Sequence, residues 1–169
     1  MSKTMTVVGK RLAAAPAAAQ PRPARRCTDE KLAAVWFTAA QRPWSSLAVV
    51  PADASLSRTA TRLAESLADL GEQHGERALH VIDATAARIE GVQDIVASLR
   101  LASESNSVIV SVDPIADNPT SKAILHDASL VIVVTQLGAS GVSTARGIVT
   151  AIGKNKILGN ILLGTGLTP

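Results

Sequence analysis

Apolar residues in this chain come in short unbroken runs, separated by stretches in which they recur every three or four positions. The unbroken runs fall at residues 47–50, 78–82, 107–112, 130–135 and 157–163. Each has the length of a strand. None alternates apolar with polar, which is the pattern of parallel strands covered on both faces. The periodic stretches predict helices over 29–41, 56–70, 92–102, 120–126 and 142–152. In the second of these, Leu56, Ala60, Leu63, Ala64, Leu67 and Leu70 share one face, and Gly71 is expected to end the helix. Thr28 is suited to cap the first helix, with Asp29 and Glu30 in its first turn, and Pro43 stops it. Strands and helices alternating in this order predict a three-layer α/β/α fold with a mostly parallel sheet of five or six strands.

The amino-terminal residues do not join this pattern. Residues 12–26 are Ala/Pro-rich, with Pro16, Pro21 and Pro23 spaced to break any helix. The expected division is a disordered basic tail over 1–27 and one α/β domain over 28–169. Hydrophobic residues make up 47% of the chain, ample for a core, and they are mostly Ala, Val, Ile and Leu. A single cysteine, Cys27, excludes an internal disulfide and a multi-cysteine metal site, and suits a reducing cytoplasm.

The net charge of +3 conceals an asymmetry. Residues 1–28 hold Lys3, Lys10, Arg11, Arg22, Arg25 and Arg26 and no acid. Removing these six from the chain's 17 bases leaves 11 against 14 acids, so the domain carries −3. It offers no electrostatic reason to bind nucleic acid. The tail could touch anionic lipid at the inner face of a membrane or an acidic partner, or act as a solvated linker. No apolar run is long enough to span a bilayer, Lys10 and Arg11 interrupt any signal-peptide core, and residue 2 is Ser rather than the Gly that myristoylation needs.

Ligands of parallel α/β sheets bind at the carboxyl ends of strands. Three such ends carry suggestive residues: 51–59, 83–85 and 113–115. Residues 47–64, LAVVPADASLSRTATRLA, have the strand–turn–helix outline of a phosphate-binding loop. A working loop has glycines, whose backbone N–H groups wrap a phosphate, and a lysine to reach it. Here Asp53, Ser55 and Leu56 stand at those places. His74, His80 and His126 show no metal-ligand spacing, Cys27 has no neighbouring His or second Cys, and the sequence at Gly141–Ser143 lacks the closing glycine of a nucleophile elbow.

In order along residues 28–164, the segments resemble the deviant-Walker, MinD/ParA-like branch of P-loop NTPases. Within that branch they resemble the cytoplasmic bacterial tyrosine-kinase domain of exopolysaccharide and capsular polysaccharide biosynthesis. Arg62–Leu63–Ala64 is similar to the NLA-type end of the first motif, ALHVIDAT at 78–85 to VLLIDAD, and GVQDIV at 91–96 to GLSDVL. VIVSVDPI at 108–115 resembles the Walker B strand with its DxPP end, DASLVIVVTQ at 127–136 the ADxVLLVV strand, and residues 156–163 the final GVVLN strand. The resemblance implies ATP and Mg²⁺ as cofactors. Ser57 matches the family's Mg²⁺-binding hydroxyl, and Asp83 and Asp113 match its acids.

The departures are as informative. Leu56 replaces the phosphate lysine, Ser55 and Asp53 replace the two glycines, and Pro51 stands at the second, deviant lysine. Thr85 replaces the second acid of the second motif, and Ile115 the second proline of DxPP. Glu30 lacks the two arginines of the oligomerisation helix, whose places hold Ala33 and Trp36, and the chain has no Tyr to autophosphorylate. Phosphoryl transfer depends on positioning and charge stabilisation, so each loss costs a few kcal/mol of transition-state stabilisation by analogy with a deleted oxyanion donor.

The expectation is therefore a catalytically degenerate relative, a pseudokinase without a catalytic residue, a bound metal or a required cofactor. It would act as a scaffold or regulator of exopolysaccharide synthesis and export. It would dock on the cytoplasmic part of a membrane chain-length or export protein, on itself or on an active paralogue. Its vestigial nucleotide site would comprise Ser55, Ser57, Arg58, Asp83 and Asp113. Ser55 or Ser57 is expected to cap the following helix, and Asp83 and Asp113 to hold loop backbone through Asx-type bonds. Two alternatives stay open. One is a nucleotide-binding ATPase or switch using Ser57, Arg58, Asp83 and Asp113 in an unorthodox loop. The other is a MinD/ParA-like positioning protein acting through the basic tail.

Overall fold

The computed structural model describes residues 30–74, 78–103, 106–138 and 141–164. The tail expected over 1–27 and the cap at Thr28 lie outside the described residues. Among the described residues five α-helices and five strands alternate: α1 (Glu30–Ala40), β1 (Ser46–Pro51), α2 (Ser57–His74), β2 (Ala78–Ala84), α3 (Ile89–Leu101), β3 (Asn106–Val112), α4 (Thr120–Asp127), β4 (Leu130–Gln136), α5 (Val142–Ile152) and β5 (Ile157–Leu163). The strands form one sheet in the order β2-β3-β1-β4-β5, and every pairing is parallel.

Two apolar layers sandwich this sheet. On one face Leu32 and Trp36 of α1 and Leu56, Ala60, Ala64, Leu67 and Leu70 at and along α2 pack on Leu47, Val49, Ile109 and Ile132. On the other, Val92, Val96 and Leu99 of α3, Ile124 and Leu125 of α4, and Ile148 of α5 pack on Ala48, Val50, Val110 and Val133. The result is the three-layer α/β/α fold with five strands. The unbroken apolar runs at β1, β3 and β4 hold central positions buried on both faces. β2 and β5 lie at the two edges and are only partly buried, and each carries a polar residue in its middle, His80 and Asn160.

Three helix boundaries differ from expectation, at both ends of α2 and at the start of α3. Gly71 does not end α2, which runs on to His74. Gly71 is buried in mid-helix because a Cβ there would lie 2.0 Å from Leu79 Cδ1 and 2.5 Å from Trp36 Cη2. The glycine is a packing notch rather than a stop. Ahead of α2, residues Ala54–Leu56 form a separate 3-10 turn, so the α-helix proper begins at Ser57. The helix expected from 92 starts three residues earlier, at Ile89. At the end of α5, Gly153 does terminate the helix, in a positive-φ conformation (+95°) that a side chain would strain.

Candidate functional site

The connection leaving β1 climbs to α2 on one face, whereas the connection leaving β3 climbs to α4 on the other. Between adjacent strands β1 and β3 this opens the crevice where α/β sheets bind ligands. The loops of β1, β2 and β3 meet there, and they bring together most of the residues singled out in the sequence.

The loop after β1 is closed on itself. Asp53 is the N-cap of the 3-10 turn that leads into α2: its Oδ1 accepts the Ser55 N–H at 3.1 Å and also the Ser55 hydroxyl. The backbone donor that a phosphate would need is thereby taken by a carboxylate of the same loop. Leu56, in the place of the phosphate lysine, is only 4% exposed and packs in the core beneath α2. Arg58 is exposed on the first turn of α2, and its side chain has no hydrogen-bond or ionic partner among the described residues.

Ser57 turns inward. Its hydroxyl donates to Asp113 Oδ1 at 2.9 Å, which ties the start of α2 to the end of β3. The other oxygen, Asp113 Oδ2, accepts the Ala86 N–H at 2.6 Å and, at 3.5 Å, the Asn118 amide. Asp113 therefore bridges three loops rather than closing a local Asx turn. Ala86 has a left-handed backbone (φ 60°), unusual for a residue with a Cβ, and this conformation accompanies its N–H bond to Asp113. Asn118 and Thr120 extend the network by both donating to the Ala87 carbonyl, at 3.2 and 3.1 Å.

Asp83 forms the expected Asx turn. Its Oδ1 accepts the Thr85 N–H at 3.0 Å and the Thr85 hydroxyl at 2.6 Å. Ser111 and Thr61 donate to the same oxygen at 3.3 and 3.5 Å. Partial burial works to raise the Asp83 pKa, but the donors from Thr85, Ser111 and Thr61 outweigh it and hold the carboxyl below its ordinary 3.8. A depressed folded-state pKa contributes stability that is complete above the unfolded value and lost as pH falls through the folded one. Asp83→Asn should therefore show a stability deficit at neutral pH that shrinks below pH 3.8. Urea unfolding at a series of pH values measures it, and a deficit independent of pH would contradict this role.

Thr61, Ala86, Ser111, Asn118 and Thr120 join the site without having been singled out in the sequence. Two carried a usable signal. Thr61 lies one helical turn beyond Ser57, and Ser111 is a polar residue inside the apolar run of β3, two positions before Asp113.

Chemically, Ser57 and Asp113 have the donor set that P-loop proteins use for Mg²⁺. The remaining parts do not fit a nucleotide. The place of the phosphate lysine holds the buried Leu56, and the turn is capped by the Asp53 carboxylate. The described residues contain no group of three or more side chains able to hold a metal ion. None of their helices is long and apolar enough to cross a membrane.

No known family's sequence profile matches the chain, and no curated protein matches it. Among solved structures it is similar to the BceF tyrosine kinase domain, with a TM-score of 0.53 and 14% identity over 79% of this chain and 74% of that one. At this identity the likeness is one of fold: the chain shares the parallel α/β architecture of that domain.

Proposed function

We propose that this protein is a catalytically degenerate relative of the polysaccharide-biosynthesis tyrosine-kinase domain, acting as a binding scaffold or regulator of exopolysaccharide synthesis and export. The observation that carries the reading is the loop after β1. Its N–H donor is occupied by Asp53, and the position of the phosphate lysine is a core leucine. The acids further along are bonded to protein donors, so the network acts as a staple between loops. Its partners would be the cytoplasmic part of a membrane chain-length or export protein, or an active paralogue.

Calorimetric titration with ATP and Mg²⁺ tests this. The expected result is no heat and no rise in the unfolding midpoint. A nucleotide present at a hundredfold excess over its Kd would instead add ~2.7 kcal/mol of stability. The contact between Ser57 and Asp113 favours a second reading, a nucleotide switch with an unorthodox loop. Saturable ATP binding that disappears in Asp113→Ala would establish that reading and overturn the scaffold.

A further inference from the structure

Among the described residues β5 lies at one side of the sheet and pairs only with β4. Its outer edge has no neighbouring strand among the described residues. Natural edges are usually guarded by lysine, proline or inward charge. This one is not: residues 157–169, ILGNILLGTGLTP, contain no charged residue, and the strand itself contains no proline. The only register shift in the β4–β5 ladder lies at its start, beside Val131 and Ile132, and leaves 159–163 regular. Leu162 is 59% exposed on this strand. Next to the edge, α1 and β5 enclose an apolar cleft of about 230 Å³ lined by Val35, Thr38, Leu158, Gly159 and Ile161.

We infer that this edge pairs with the same edge of a second copy of the chain, antiparallel, about a two-fold axis at Ile161. The register follows from self-complementarity. With Ile161 opposite its own mate, Gly159 faces Leu163 of the second copy, and Asn160 faces Leu162. A Cβ at Gly159 would meet nothing within 4 Å, so the space above it is open to a large side chain from across the strand pair. Ile161 and Leu163 pack towards the α1 face of the sheet, so the paired leucine comes in over the cleft. A second copy also brings no like charge to the junction, because its own strand is uncharged. The product is a continuous sheet across two domains. The interface is small, so the dimer should dissociate in the micromolar range.

Sedimentation equilibrium of the full chain from low to high micromolar concentration tests it. The weight-average mass should rise from 17.4 kDa towards twice that value. Leu162→Lys, at an exposed site, should weaken association about tenfold or more without moving the thermal midpoint. In a Cys27→Ser background, Ile161→Cys should oxidise to a covalent dimer, because residues facing each other across a two-fold strand pair fall within disulfide reach. Leu158→Cys, off the axis, should not. A single-chain mass at every concentration overturns the proposal, and so does association untouched by Leu162→Lys. Cross-linking at Leu158 as ready as at Ile161 overturns the register and with it the argument from Gly159.

Discussion

Leu56→Lys should unfold this protein rather than restore a phosphate-binding loop. The substitution looks like a repair in sequence, since it returns a lysine to the place where P-loop proteins carry one. In the structure Leu56 is 4% exposed and packed with Ala60, Leu67 and Leu47. Truncating such a leucine to alanine costs about 2–5 kcal/mol. A lysine keeps some of the stem's packing but must either bury an ammonium or push the turn outward. The expected loss is about 3–5 kcal/mol, which in a domain of this size lowers the melting midpoint by roughly 10 °C. Leu56→Met, nearly equal in volume, should cost less than about 1.5 kcal/mol. Thermal and urea unfolding of both variants measure the difference. A lysine variant within about 1 kcal/mol of the parent would mean that the side chain can reach solvent, and the loop could then be rebuilt toward nucleotide.

This expectation also marks where the sequence was legible. The apolar runs located every strand, and α5 over Val142–Ile152 and β5 over Ile157–Leu163 fall where the pattern placed them. Such runs are dictated by burial, which acts residue by residue and leaves a local trace. The sheet's edges left only a faint trace: His80 in ALHVIDA, a run otherwise apolar up to Asp83, and Asn160 as the single polar residue in ILGNILL. Which strand lies outside is decided by crossovers, not by any strand's own composition. Gly71 misled because a glycine that ends a helix and one that admits a neighbouring ring look alike in sequence. The site was legible in its acids and opaque in their partners. Asp83 and Asp113 advertise themselves at strand ends. The donors from Thr61 and Ser111, and the N–H of Ala86, reach them only through the parallel order β2-β3-β1. Asp53 found its role as a cap because a 3-10 turn, which the apolar pattern does not mark, precedes α2 and presents its own free N–H groups.

Trp36→Ala should be the other severe substitution, with a loss of about 3–5 kcal/mol, and its partner Gly71 gives a sharper test than the loss alone. Trp36 is 3% exposed and meets Trp44 edge to face, with ring centroids 5.9 Å apart at 84°. Its ring edge occupies the notch that Gly71 leaves in α2. Gly71→Ala places a methyl 2.5 and 2.9 Å from two ring carbons and 2.0 Å from Leu79 Cδ1. The leucine end can swing aside, whereas the indole is fixed against Trp44. Overpacking of this kind costs about 1–3 kcal/mol, against a gain of about 1 kcal/mol for alanine in a helix. The single variant should therefore be destabilised by up to about 2 kcal/mol. In the Trp36→Ala background the clash with the ring is gone and Leu79 has room to move, so the same Gly71→Ala change should be neutral or stabilising. The coupling should reach about 1–3 kcal/mol, measured by urea unfolding of the four proteins, and strict additivity would show that the notch does not seat the ring. The consequence extends to binding. Trp36 holds α1 against α2, and α1 carries the exposed Phe37 and one wall of the apolar cleft beside β5. A scaffold that presents this face should lose partner binding in Trp36→Ala even at temperatures where the sheet is still folded, whereas Gly71→Ala, which leaves the ring present, should retain it.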